Sequence, residues 1–159
     1  MNTIMRNAKF SDFNDVNNLM LELHNLHVKN RNDVFKATDS PMKEEYFKDL
    51  LNNQDVKLFV IENLENSEIV GYSNLKLMNT PNIDIVVKSK YIYIDDFCIK
   101  QAYKRKGIGK KLFNFILEYA KQQCVDSVQL NVWSFNEDAI EFYKFMGMKE
   151  RNVRMEMRV

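Results

Sequence analysis

Residues 90–99, Lys-Tyr-Ile-Tyr-Ile-Asp-Asp-Phe-Cys-Ile, are apolar at odd and even positions alike. A strand with that pattern has to be covered on both faces. The chain must therefore place layers on either side of it, which makes it the middle of a sheet. Directly after it comes Lys104-Arg105-Lys106-Gly107-Ile108-Gly109-Lys110, which holds two of the chain's four glycines. From Gly107 the period changes. Ile108, Leu112, Phe115, Ile116 and Tyr119 fall on one helical face, with Lys110, Lys111, Asn114, Glu118 and Lys121 on the other.

The rest of the chain supplies the layers that this strand needs. Residues 3–9 read as a short strand. Ser11 or Asp12 then caps a helix with Phe13, Val16, Met20, Leu23 and His27 at three-to-four spacing. Residues 28–39 lack periodicity and read as an exposed loop. Ser40-Pro41 offers a cap and first helical position for a second helix through about Leu51. Val56 to Asn63 and Glu68 to Met78 are rich in β-branched and aromatic residues and form a long hairpin about the polar stretch 63–67. Val125 to Val132 give a further strand, Asn136 to Met146 a helix ended by Gly147, and the alternation of residues 152–158 a last strand. The order is mixed α/β (α+β), in a single domain over residues 1–159.

Composition narrows the function classes. With 23 basic and 22 acidic side chains the net charge is +1, which supplies no global field for nucleic acid or an anionic membrane. A nucleic-acid module would have to rest on the basic run 104–110 alone, and we expect no such partner. No signal-like segment opens the chain and no apolar stretch is long enough to span a bilayer, so the expected location is the cytoplasm, with no membrane partner. Cys98 and Cys124 are too few and too far apart for a disulfide framework or a four-ligand zinc site, so no metal is expected.

Three sets of residues carry candidate chemistry. In the turn 104–110, glycine allows close approach of a phosphate, helix-start amides supply donors and the helix dipole favours an anion. By itself the pattern fits equally a tight turn with a solvated basic rim. Asp95 and Asp96 are neighbours on the central strand, so a regular strand would point them to opposite faces unless a bulge intervenes. Either could instead pair with a nearby cation. Cys98 suggests a covalent thioester route, but no histidine stands near it in sequence and a buried small hydrophobe is the plainer reading. His24 and His27, three apart on the first helix, share a face and could touch a ligand or lie at a helix edge. Trp133 reads as packing, and Asn136 as a helix cap.

Taken together, Asp95-Asp96-Phe97-Cys98-Ile99, the Lys-x-x-Gly-x-Gly turn, and Leu130-Asn131-Val132-x3-Asn136-x2-Ala139-x2-Phe142-Tyr143-x3-Gly147 resemble the GNAT superfamily of N-acetyltransferases over roughly residues 90 to 150. The local run Ile-Tyr-Ile-Asp-Asp-Phe-Cys is similar to the diamine (spermidine/spermine) acetyltransferases, which carry Glu-Asp there. The resemblance implies a mixed sheet of about six to seven strands flanked by about four helices. It also implies acetyl-CoA as co-substrate, with no metal. The pyrophosphate would lie on the amides around Arg105, Lys106, Gly107, Ile108, Gly109 and Lys110, and the pantetheine along the backbone of Phe97, Cys98 and Ile99, with Asn136 and Ala139 also contacting CoA. Lys104 stands where the family usually has Gln or Arg, keeping the charge without the bidentate fork. Tyr143 matches the general acid for the departing thiolate, although Ala139, Phe142, Tyr143 and Met146 also share an ordinary core-facing helical stripe. The general base maps onto Asp95. The implied activity is acetyl transfer from acetyl-CoA to a primary amine, a polyamine or other small metabolite first, in a ternary complex. A protein N-terminus or lysine as acceptor, and a non-catalytic acyl-CoA sensor, are the alternatives. A homodimer stays open on family association alone.

Overall fold

The computed structural model describes residues 2–159. Five strands form one sheet in the order β1 (Thr3–Asn7), β2 (Val56–Asn63), β3 (Glu68–Asn79), β4 (Lys90–Ile99), β5 (Ser127–Leu130). The first four are mutually antiparallel and β4 runs parallel to β5. A parallel pair needs a crossover connection, and α3 (Ile108–Gln122) supplies it. Helices α1 (Phe13–Asn30) and α2 (Glu44–Asn52) precede the hairpin, and α4 (Glu137–Phe145) follows β5.

Two apolar layers result, one on each face of the sheet, as the doubly apolar central strand requires. On one face, Val16 and Leu19 of α1 and Phe47 and Leu50 of α2 pack on Leu58, Val60, Ile69, Tyr72 and Cys98. On the other, Ile108, Leu112, Phe113 and Ile116 of α3 pack on Ile61, Val70, Leu75, Ile92 and Ile94. Phe142, Tyr143 and Met146 of α4 join this second layer from the side.

The sheet corrects the sequence reading in two places. Helix α2 starts at Glu44, not at Pro41. Met42 is buried, its amide donates to Asn17 Oδ1 at 3.1 Å and Ser40 Oγ bonds the Met42 carbonyl at 3.1 Å, so residues 40–43 are spent docking on α1. The larger correction is the strand count: five, not six to seven. Residues 152–158 alternate as a strand would, yet they run as an extended arm without a ladder, and Val153, Met155 and Met157 are 76%, 87% and 86% exposed. Arg31 with Glu156, and Asp33 with Arg158, tether that arm to the end of α1 and the loop after it. Alternation specifies a strand only where one face is buried and an edge is available to pair. The neighbouring edge strand β5 is only four residues long.

Candidate active site

The register of β3 on β4 contains one irregularity. Asn74 faces Asp96 and Leu75 faces Ile94, so Asp95 has no opposite residue and forms a bulge. The extra residue cancels the alternation, and both carboxylates come within reach of one side chain. Asn74 Nδ2 donates to Asp95 Oδ2 at 3.4 Å and to Asp96 Oδ2 at 3.3 Å. Lys76 Nζ, one step further along the same face of β3, donates to Asp95 Oδ2 at 2.7 Å. Asp95 is exposed and Asp96 is partly covered. Burial and the adjacent charge of Asp95 push the Asp96 carboxyl up to about 6, with Asn74, Lys76 and the Tyr72 hydroxyl offsetting part of that. Beneath the pair, Tyr72 and Asn74 are fully buried, and Asn74 Oδ1 lacks a hydrogen-bond partner. Buried unpaired polar atoms are costly.

The same bulge marks where β4 and β5 part. Their pairing runs from Tyr91–Ser127 to Ile94–Leu130 and stops. Beyond it, residues 96–99 are laddered only to β3, so on the other side the edge of Phe97, Cys98 and Ile99 meets no strand. Side chains from α4 lie there instead. The Phe97 ring is 5.7 Å from Phe142 and 6.1 Å from Tyr143, and Phe113 is 6.1 Å from Tyr143. Burial, with a smaller effect of Cys98, raises the Tyr143 hydroxyl well above its ordinary value, so it stays protonated at neutral pH. Cys98 is buried, its Sγ is 3.8 Å from Met20 Sδ, and burial pushes its thiol well up. A group so placed is a poor nucleophile.

The glycine turn continues from the end of β4. Gly107 has φ +79° and Arg105 φ +61°, both left-handed, and α3 begins at Ile108. The opening amides of a helix have no intrahelical carbonyl to bond, and here they are flanked by the exposed Lys104, Arg105, Lys106 and Lys110. The Lys106 and Lys110 ammoniums sit 5.2 Å and 5.5 Å from the centroids of the Tyr103 and Phe145 rings. Ile108 is a core residue, so only its backbone faces the turn. A side-chain carbon at Gly109 would lie 3.4 Å from the Phe142 ring, so this glycine lets α3 approach α4. Asn136 occupies the first cap of α4. Its carbonyl accepts the amides of Ala139 and Ile140 at 3.1 Å, while its side chain makes no capping bond.

The structure thus brings Tyr143 of α4 against Phe97 near the point where β4 and β5 part, while Asn136 and Ala139 lie in the cap and first turn of α4. Asn74, Lys76 and Tyr72 were missed by sequence reasoning. The available signal was weak: the polar Ser73, Asn74 and Lys76 interrupt a strand otherwise suited to burial. Trp133 packs as expected, in an aromatic cluster. It packs on Phe35 at 5.4 Å and stacks on Phe135 at 5.8 Å, with Arg31 5.3 Å from its ring centroid. His27 stacks on Phe35 at 4.9 Å, and His24 Nε2 lies 2.7 Å from the Lys36 carbonyl. His27 also meets Phe135 at 5.8 Å and so joins the loop after α1 to the segment after β5, while His24 holds only that loop.

Comparison with known proteins identifies the fold and the family. Residues 20–148 match the family model described as the acetyltransferase (GNAT) family. An uncharacterized N-acetyltransferase of Methanocaldococcus jannaschii is 33% identical over 108 residues, 68% of this chain and 46% of the relative. The L-ornithine N5-acetyltransferase of Arabidopsis thaliana is 26% identical over 136 residues, 85% of this chain and 58% of the relative. The chain therefore spans about half the length of these curated relatives. Among solved structures, a tetramutant of the BH1408 protein from Bacillus halodurans superposes with a TM-score of 0.95 at 31% identity, covering 98% of this chain and 99% of that one.

Proposed function

The chain belongs to the acetyltransferase (GNAT) family, and from that premise we propose that it acetylates the primary amine of a small molecule by direct attack within a ternary complex. The observation that carries the reading is the coincidence at one point of β4: the bulge that gathers Asp95 and Asp96 lies where β5 leaves the ladder. The opened backbone edge and the turn beyond it fit a long anionic co-substrate, with phosphate at the α3 start and the pantetheine arm along Phe97 to Ile99. Acetyl-CoA supplies the activated acetyl group.

The chain's own residues have three tasks. Amides from Arg105 to Lys110 and the basic rim hold phosphate. A carboxylate of the Asp95–Asp96 pair takes a proton from the acceptor, which arrives as an ammonium because alkylamine pKa values lie near 10. The Tyr143 hydroxyl, kept protonated by burial, returns a proton to the departing sulfur. Two features support a small acceptor carrying few positive charges. The activity named for the Arabidopsis relative is on L-ornithine, and Lys76 already offsets one of the two carboxylates.

Thiol release from acetyl-CoA, measured against diamines, spermidine, amino acids, aminoglycosides and short peptides with a no-acceptor control, tests this. The expected result is saturable turnover with small amines and little with peptides. Saturable acetyl-CoA binding without turnover on any acceptor would replace the reading with that of an acyl-CoA sensor.

A further inference from the structure

We infer that Asp96, rather than Asp95, accepts the proton from the attacking ammonium, and that Lys76 holds Asp95 aside as its counter-ion. The inference rests on the proposed amine acetylation and assigns its acid-base groups. The resemblance maps the base onto Asp95, and the geometry assigns that residue a different role.

Asp95 is the bulged residue, exposed, and its Oδ2 already accepts from Lys76 Nζ at 2.7 Å and from Asn74 at 3.4 Å. A carboxylate engaged by an internal ammonium has its negative charge matched before any substrate arrives. Asp96 has the Asn74 amide at 3.3 Å and no cation bonded to it. It sits above the fully buried Tyr72 and Asn74, and the Tyr72 hydroxyl acts on it as a hydrogen-bond donor. Asp96, with no bonded cation, is the carboxylate of the pair left to accept from an incoming alkylammonium, which carries three N–H donors. The groups around Asp96 are Asp95 and Cys98 on β4, Tyr72, Asn74 and Lys76 on β3, and Tyr46 on α2, with Glu22 of α1 and Lys104 acting on Cys98. Their combined effect leaves Asp96 titrating near 6, high enough for a useful base and low enough to be ionised at neutral pH. In the step itself, one ammonium N–H bond breaks, its electron pair stays on nitrogen and the proton bonds an Asp96 oxygen.

The decisive variant is Asp95→Asn, isosteric and at an exposed position. The pH profile of kcat/KM in the parent should show an acidic limb near 6. With Asp96 as base, Asp95→Asn keeps that limb and moves it to lower pH, because the neighbouring negative charge is gone and Lys76 is freed. Asp96→Asn removes the limb and lowers kcat/KM by about 10²-fold, with acetyl-CoA affinity by calorimetry reporting that the fold survives. Lys76→Met moves the limb up. In the unliganded protein, the Asp96 carboxyl carbon should titrate near 6 by NMR. Loss of the limb in Asp95→Asn would overturn the assignment, as would its retention in Asp96→Asn. Either result would leave amine acetylation standing, whereas a parent that turns over no amine removes both.

Discussion

At Tyr143 the same burial can be read two ways, as a core aromatic or as a proton donor. Its ring touches Phe97, Phe113 and Phe142, as a packing residue would, but a buried phenol without a charged partner is also held neutral. The two readings separate on the hydroxyl alone. Tyr143→Phe keeps the ring and its packing, so the melting temperature should stay within a degree or two, while kcat falls by 10- to 100-fold, on the order of a lost general acid, with KM little changed. Steady-state kinetics checks this, and an unchanged kcat would leave Tyr143 as core only. A residue-scale property was legible in the sequence only where the backbone itself was at stake. Gly107 adopts φ +79° in open space, so its glycine reports a conformation. Asn74 is ordinary by type, and only its burial beneath two carboxylates gives it meaning.

Among elements, the long strands and α3 matched expectation because their patterns are local, whereas the bulge in β4 depends on which residue of β3 lies opposite. That register is a property of two strands together, so the sequence could state the question about Asp95 and Asp96 without deciding it. The anchoring of β1 is similar. Arg6 on β1 binds Asp12 through both terminal nitrogens, at 2.7 Å and 2.9 Å, and binds Glu62 on β2 at 2.6 Å. One guanidinium thus joins the first strand, its neighbour and the start of α1. Burial alone would raise the Asp12 carboxyl, but the bonds from Arg6 and from the Lys9 amide prevail and hold it below its ordinary value. A carboxyl with a depressed folded-state pKa stabilises the fold above its unfolded pKa, and the stabilisation disappears as pH falls through the folded value. Asp12→Asn should therefore cost about 1–2 kcal/mol at pH 7. Its thermal melting should converge on the parent's as the pH is taken below about 4, near the ordinary Asp value. A constant gap between the two melting curves down to pH 2 would show that the carboxylate charge is not what holds β1.

In the whole molecule, β4 separates two working sides. The carboxylate pair lies on the side of α1 and α2 with Asn74 and Lys76, while the glycine turn and Tyr143 belong to α3 and α4. The sequence made this division legible through the doubly apolar residues 90–99, which demand a layer on each side. It misread the C-terminal arm, since the alternation of Val153, Met155 and Met157 records a pattern without recording what would cover it. The division has a kinetic consequence. On the proposed reading, co-substrate and acceptor would approach one strand from different directions, so neither would have to leave before the other binds. The one thiol between them, Cys98, is buried with its pKa raised well above the ordinary value, leaving almost no thiolate to carry an acetyl group. Double-reciprocal plots at several fixed acceptor concentrations should therefore intersect, and Cys98→Ala should retain most of kcat. Parallel lines, together with loss of turnover in Cys98→Ala, would mean that the core opens to admit a covalent intermediate, and that the face-to-face division seen here is not the arrangement in which the acetyl group moves.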